Sequence, residues 1–225
     1  MGRATAPGWT YERRASRGGC HRIAGLDEVG RGCLAGPVIV AAVILDPSRT
    51  PRGIKDSKLL THARRAGLLR AILRSAEAWS IGASDVLEID AINILNATKK
   101  AMTRAIETLD IRPDHLLIDA LTLPEVGIAQ TPIIRGDRVC MSIAAASIVA
   151  KVVRDRLMDH YDRLFPQFGF AANKGYGTRE HLLAVERHGA CPIHRTSFRG
   201  VWRNGVLPFD GNGAVPMIAA QELPS

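Results

Sequence analysis

The stretch "IAGLDEVGRGCLAGPV", residues 23–38, decides the fold because it ends one apolar segment, turns at its glycines and begins another. The flanking segments 22–27 and 38–45 are rich in Ile, Val and Leu, which predicts two strands. The glycine-punctuated turn between them predicts a hairpin-like antiparallel pair. Asp27 and Glu28 stand side by side at the end of the first strand. Acids are rare in buried strands, so this pair is a candidate for function.

The rest of the chain alternates helical and strand spacing. It predicts a helix over 59–78 with Ser57 as N-cap, a strand over 79–83, a helical stripe over 85–110 that allows a break near Asn93, strands over 115–119 and 131–135, and a helix over 140–165 that ends before Pro166. This order predicts an α/β fold, a mixed five-stranded sheet flanked by helices, with a helical C-terminal segment. We assign residues 20–209 to one domain. Residues 1–19 and 210–225 have few side chains suited to a core and are expected to be flexible.

Composition narrows the possible partners and compartments. Lys and Arg number 30 against 22 for Asp and Glu, and the net charge of +8 favours a polyanionic partner, although charge alone does not separate nucleic acid from a membrane surface. The longest apolar run, 33–45, is shorter than the ~20 residues of a spanning helix. The basic N-terminal segment has no apolar core of a secretory signal. Four cysteines without a CxxC pair indicate reduced thiols. We expect a cytoplasmic protein.

Acids also end two later apolar runs. Asp119 closes the segment 115–119, and Asp137 follows the segment 131–135. Any one such aspartate is commonly a turn or helix-capping residue, but three of them together with Glu28 favour a shared cleft. Clustered carboxylates repel each other unless a cation holds them, and oxygen ligands suit Mg²⁺ or Mn²⁺. Two such ions roughly 4 Å apart can hydrolyse a phosphodiester, so a basic protein with this cleft is expected to be a nuclease.

The turn that follows the first strand holds Gly30, Arg31 and Gly32. Glycines on both sides of the arginine let backbone groups approach a ligand closely. A backbone group at hydrogen-bond distance could test for the 2′-hydroxyl that separates RNA from DNA. An ordinary glycine-rich hairpin turn explains the same three residues, so the motif alone leaves both interpretations open.

The sequence resembles the bacterial ribonuclease HII family over almost all of residues 23–198. The order and spacing of its motifs agree as well as their letters. They are "AGLDEVGRGCLAGPV", "DSK", "NATKKAM", "LLIDA", "RGD", "AASIVAKVVRDRLM", "KGYGT" and "PIHRTSF". The resemblance implies a ribonuclease H-like fold and a metal-dependent endoribonuclease that hydrolyses the RNA strand of RNA–DNA hybrids. It also implies cutting on the 5′ side of ribonucleotides embedded in duplex DNA, leaving 3′-hydroxyl and 5′-phosphate ends, in DNA replication and repair.

The resemblance also assigns roles to residues. The catalytic and metal-binding acids would be Asp27, Glu28, Asp119 and Asp137, holding two Mn²⁺ or Mg²⁺ ions. Gly30, Arg31 and Gly32 would read the 2′-hydroxyl, and Tyr176 would stack on the sugar of the following deoxynucleotide. Lys58 and Lys174 are candidate contacts to backbone phosphate, with a solvated surface lysine as the alternative. Tyr176 without the family context would be a half-buried core tyrosine.

Other hypotheses stay open on sequence alone. The acids would serve another two-metal nuclease or a resolvase of the same fold equally well, and a non-catalytic hybrid-binding module is a third interpretation. Arg154 and Asp155 are expected to be structural ion-pair partners on the polar side of the long helix. The pair His194 and Arg195 could contact phosphate or pack the C-terminal segment. We expect a monomer, because no self-complementary segment is evident.

Overall fold

The computed structural model describes residues 6–55, 57 and 60–201, and within them the chain forms one five-stranded sheet. The strands are β1 (Ile23–Val29), β2 (Val38–Leu45), β3 (Ala76–Ser84), β4 (His115–Asp119) and β5 (Ala129–Ile133). Their order across the sheet is β3-β2-β1-β4-β5. Strand β2 runs antiparallel to β1 and β3, whereas β4 runs parallel to β1 and β5. The predicted mixed sheet and its opening antiparallel pair are confirmed.

Helices cover both faces of this sheet. They are α1 (Thr10–Arg17), α2 (His62–Ser75), α3 (Val86–Glu107), α4 (Gly136–Val139), α5 (Met141–Leu164), α6 (Phe170–Asn173) and α7 (Arg179–His188), with a 3₁₀ turn at Pro166–Phe168. Successive side chains of a strand point to opposite faces. Val38 and Val40 therefore join the core beneath α3, while Ile39 and Ala41 join the core beneath α2 and α5. Burial on both faces explains why β2 is an unbroken apolar run.

The start of α2 differs from the sequence prediction, and the break predicted in α3 is present. Helix α2 is capped by Thr61, whose side chain accepts a hydrogen bond from Arg64 N at 3.3 Å, so the prediction of Ser57 as the N-cap is wrong. The break predicted in α3 is confirmed at Asn93, where φ is 66°. The Asn93 side chain accepts a hydrogen bond from Leu95 N at 3.0 Å and so begins the second half of the helix.

The N-terminal segment is more ordered than the sequence predicts. Residues 1–19 were expected to be flexible, which is wrong for α1 and the residues that lead into it. The buried Glu12 accepts hydrogen bonds from Ser142 N at 2.8 Å and Ser142 Oγ at 2.9 Å. Gly8 O accepts from Met141 N at 3.0 Å. These contacts attach α1 to the start of α5, because a carboxylate satisfies donors that a helix N-terminus leaves free.

The tail predicted over 210–225 lies outside the described residues. In the part of the chain that the structure describes, no helix is long and apolar enough to cross a membrane. All four cysteines are free, in agreement with the expected reduced thiols.

Candidate active site

One pocket of about 330 Å³ collects the acids singled out from the sequence. Asp27 and Glu28 come from β1, and Asp119 is the last residue of β4. Asp137 lies in the short helix α4, which follows β5. Strands β1 and β4 are parallel neighbours, with Leu26 opposite Ile118, so their carboxyl ends meet at the same edge of the sheet. The topology therefore brings together acids that are far apart in sequence.

Backbone groups orient two of these carboxylates. Glu28 N donates to Asp27 Oδ1 at 2.8 Å. Gly136 N donates to Asp119 Oδ1 at 2.7 Å, which ties the end of β4 to the helix that carries Asp137. The chain turns into that helix through a left-handed backbone conformation at the residue before Gly136. The carboxylates are thus positioned by the fold itself.

Burial and the repulsion of neighbouring carboxylates raise the pKa of two of the acids, Asp27 and Glu28. Asp27 is only 6% exposed, and its pKa is raised well above the ordinary aspartate value by burial first and then by the charge of Glu28, with smaller effects of the other two acids. Ser147 opposes this shift through a hydrogen bond. Burial also raises the pKa of Glu28, although Arg31 donates to Glu28 Oε1 at 3.0 Å and lowers it in part. The pocket therefore holds negative charge that the protein leaves undercompensated.

The pocket's side chains have the chemistry of a divalent-cation site. Glu28 Oε2 is buried and, among the described residues, has no hydrogen-bond partner. Across the described ranges, no group of three or more His, Cys, Asp or Glu side chains is arranged so that it could hold a metal ion as it stands. The pocket nonetheless supplies oxygen ligands, excess negative charge and an unsatisfied buried oxygen. This donor set fits Mg²⁺ or Mn²⁺ better than a soft, nitrogen- or sulfur-ligated metal.

Three further residues line the pocket and were missed from sequence: Ser57, Ser147 and Lys151. The two serine hydroxyls lie 3.0 Å apart. Lys151 Nζ donates to Asp155 Oδ1 at 2.7 Å, which holds an ammonium group at the pocket wall. Polar residues four apart at 147, 151 and 155 on an otherwise apolar helix face are the pattern that could have revealed them. Lys58, a predicted phosphate contact, lies outside the described residues.

The two expected recognition elements, the glycine-rich turn at residues 30–32 and Tyr176, lie beside the acids. Tyr176 lines the same pocket and is 42% exposed. Gly30 begins the turn after β1 with φ of 97°, a conformation that favours glycine. A Cβ on Gly32 would meet nothing within 4 Å, so the turn is open at that position. The side chain of Arg31 between them bonds to Glu28. The structure thus groups the glycine-rich turn, the tyrosine and the acids on one surface.

Several polar residues serve the interior instead of the surface. Asp155 pairs with Lys151 and Arg65, which agrees with its expected structural role. Arg154 was expected on the polar side of α5, which is wrong, because it is fully buried and donates to backbone carbonyls. Lys174 Nζ contacts Asp159 and is engaged within the protein.

Solved structures similar to this chain include several ribonucleases H. Ribonuclease H2 from Pyrococcus horikoshii OT3 superposes with a TM-score of 0.69 at 24% identity, over 81% of this chain and 96% of the other. Ribonuclease HII of Archaeoglobus fulgidus, solved in complex with PCNA, gives a TM-score of 0.67 at 27% identity, over 77% and 91%. Bst-RNase HIII in complex with Mn²⁺ gives 0.64 at 20% identity, over 81% and 68%. The chain therefore has a ribonuclease H-like fold.

Sequence comparison defines the family within that class. The family model for ribonuclease HII matches residues 24–201. Ribonuclease HII of Moorella thermoacetica is 53% identical over 191 residues, which are 85% of this chain and 93% of the relative. That of Geobacter sulfurreducens is 52% identical over 193 residues, 86% and 89% of the two chains. The chain belongs to the ribonuclease HII family, and it is an endoribonuclease of the ribonuclease H type.

Proposed function

We propose that this endoribonuclease is metal-dependent, that it hydrolyses the RNA strand of RNA–DNA hybrids, and that it cuts duplex DNA on the 5′ side of an embedded ribonucleotide. The products would carry 3′-hydroxyl and 5′-phosphate ends, which suits ribonucleotide removal in DNA replication and repair. The observation that carries the proposal is one pocket with four carboxylates beside an exposed tyrosine. Mn²⁺ and Mg²⁺ are the candidate cations, and we expect the enzyme to act as a monomer.

The four acids would bind the cations, and the backbone around them would keep their carboxylates in position. Bound divalent cations supply the positive charge that activates a water nucleophile and stabilises the leaving oxygen of a phosphodiester. Asp27 and Glu28 would contribute ligands from β1, joined by Asp119 and Asp137 from the neighbouring elements. Because backbone N–H groups already orient the carboxylates of Asp27 and Asp119, these side chains would need little rearrangement when the cations bind.

The turn and the tyrosine would select the substrate. The open backbone at Gly32 allows a sugar to approach within hydrogen-bond distance, where a 2′-hydroxyl can be recognised. Tyr176 offers an exposed aromatic face on which a neighbouring sugar lacking that hydroxyl can pack. Recognition of RNA on one side and DNA on the other would direct cleavage to the junction.

The test uses three duplexes of identical sequence. One is DNA with a single ribonucleotide, one is a uniform RNA–DNA hybrid, and one is all DNA; each is incubated with Mg²⁺, Mn²⁺ or EDTA. We expect cation-dependent cutting of the first two, with the single-ribonucleotide product ending on the 5′ side of the ribonucleotide. The all-DNA duplex should remain intact. Preferential cutting of branched all-DNA substrates would instead indicate a resolvase, and hybrid binding without turnover would indicate a binding module.

A further inference from the structure

His194 and Arg195 form a buried pair of neighbours between the two recognition elements. Their side chains are 3% and 0% exposed. His194 forms an isolated β-bridge with Ala35, a residue of the loop that follows the glycine-rich turn. Arg195 N donates to Leu34 O at 2.8 Å in the same loop. The two side chains then reach in different directions, one to each recognition element.

Arg195 holds the glycine-rich turn by its carbonyl oxygens. Its guanidinium donates to Gly30 O at 2.7 Å, to Arg31 O at 2.9 Å and to Gly36 O at 2.8 Å and 3.0 Å. No carboxylate forms a salt bridge with Arg195 in the described part of the chain. A cation buried without a counter-ion must be satisfied by hydrogen bonds, and carbonyls of the turn satisfy this one.

This arrangement determines where the amide groups of the turn point. In a trans peptide the N–H of one residue points opposite to the C=O of the residue before it. With the carbonyls of Gly30 and Arg31 turned toward Arg195, the N–H groups of Arg31 and Gly32 face away from the core. Within the described residues neither N–H has a protein acceptor. Arg195 therefore leaves two backbone N–H donors of the turn unpaired within the described ranges and directed away from its guanidinium.

His194 reaches the tyrosine through a second histidine. Cys191 N donates to His194 Nδ1 at 2.9 Å, so the proton of the neutral ring is on Nε2. His194 Nε2 then donates to His181 Nε2 at 3.0 Å, and His181 Nδ1 donates to Tyr176 O at 2.8 Å. Each donor in this series of hydrogen bonds meets one acceptor, so both histidine rings are fixed in one tautomer. The backbone of Tyr176 is thereby fixed as well.

A second buried arginine joins the same two elements. Arg154 donates to Pro37 O at 3.0 Å and Ala35 O at 3.0 Å beside the glycine-rich turn. It also donates to Lys174 O at 2.8 Å in the tyrosine loop, the segment 174–176 that carries Tyr176. Leu34 N also donates to Gly175 O at 2.7 Å. The turn and the tyrosine loop are consequently one hydrogen-bonded unit.

We propose that His194 and Arg195 are positioning residues that fix the distance and orientation between the glycine-rich turn and Tyr176. On this proposal, which rests on the proposed function, they set the preference for an RNA–DNA junction without taking part in hydrolysis. A uniform hybrid offers a 2′-hydroxyl at every nucleotide of its RNA strand, so it can still bind when the glycine-rich turn is displaced. A single ribonucleotide offers one, and both elements must engage it together.

The test compares kcat/KM on the single-ribonucleotide duplex with kcat/KM on the uniform hybrid. Misplacement of ~1 Å can cost about 100-fold in a well-oriented site. For Arg195→Lys and His194→Leu we therefore expect the ratio to fall at least about tenfold, mainly through a higher KM on the single-ribonucleotide duplex. His194→Gln retains an acceptor and a donor and should restore the ratio to within about threefold. All rates are measured where each variant is fully folded by circular dichroism.

His115→Leu is the matched control, because His115 Nε2 contacts Thr131 Oγ1 at 2.9 Å away from both elements. It should leave the ratio unchanged. An unchanged ratio in folded Arg195→Lys or His194→Leu would overturn the proposal, and so would an equal loss on both substrates, which indicates a general structural role. If Arg195→Lys does not fold, the histidine variants test the proposal independently. Failure of the wild-type enzyme to cut either duplex would instead refute the proposed function.

Discussion

The two glycines of the glycine-rich turn should respond differently to alanine: Gly30→Ala should lower stability, and Gly32→Ala should lower cleavage. Gly30 has φ of 97°, and a Cβ there would overlap Arg154 Nε and lie 2.8 Å from Pro37 O. The strained backbone costs of order 1–3 kcal/mol. Displacing the charged hydrogen bond from Arg154 to Pro37 O costs ~1.5–3 kcal/mol more. Gly30→Ala is therefore expected to lower the free energy of unfolding by about 3–5 kcal/mol, and the midpoint temperature by about 10 °C.

Gly32→Ala provides the contrast within the same turn. A Cβ at Gly32 meets nothing within 4 Å, and its φ is outside the left-handed region. Its stability should match that of the wild type to within ~0.5 kcal/mol. Cleavage of the single-ribonucleotide duplex should nevertheless fall, because the methyl group occupies the path of the approaching sugar.

The stability of both variants is measured by thermal denaturation, followed by circular dichroism, and by urea titration. Single-turnover cleavage is then recorded at a temperature where both variants are folded. A Gly30→Ala protein as stable as the wild type would refute the role assigned to the turn conformation and to Arg154. Equal destabilisation by Gly32→Ala would contradict the open position of that residue.

Three further predictions concern the N-terminal helix, the histidine pair and the cation site. Glu12→Ala should destabilise the protein by ~2–3 kcal/mol in urea titration, because Ser142 N loses its acceptor; Glu12→Gln, which retains an acceptor oxygen, should cost less. Burial, reinforced by His181, lowers the pKa of His194 to about 4, so between that value and its unfolded pKa near 6.5 only the unfolded state gains the proton. Stability should therefore fall by ~3 kcal/mol as the pH drops from 6.5 to 4, relative to His194→Gln, and a parallel pH profile for the two proteins would contradict this. Mn²⁺ at about 100 times its dissociation constant should stabilise the wild type by ~2.7 kcal/mol in thermal denaturation, and Asp27→Asn much less; equal stabilisation would place the cation elsewhere.

Local patterns predicted all five strands, although β3 and β5 begin at residues 76 and 129, before the predicted starts at 79 and 131. The apolar runs that became β2 and β4 agree with the structure residue for residue, because both strands are buried on their two faces. The break at Asn93 was also visible, since asparagine tolerates positive φ and can begin a new helical turn. Strand ends then located the acids, because topology gathers the carboxyl ends of neighbouring parallel strands.

Long-range polar contacts could not be predicted in this way. Glu12 lies on a short, arginine-rich helix, and its partner Ser142 is 130 residues away, so no local spacing indicates that it is buried. Arg154 and Arg195 resemble surface residues in sequence because their acceptors are distant backbone carbonyls, which carry no sequence pattern. Lys151 was missed for a related reason, as its place at the pocket wall depends on how α5 packs against β1.

The claim that the carboxylate pocket is the hydrolytic centre is tested most directly by Asp27→Asn. Single-turnover cleavage of the single-ribonucleotide duplex is measured with Mn²⁺, together with the free energy of unfolding without added metal. Asparagine removes a buried charge that the other acids repel, so we expect a fold at least as stable as the wild type, with cleavage reduced by at least ~100-fold. Cleavage at the wild-type rate by this well-folded variant would show that hydrolysis takes place elsewhere.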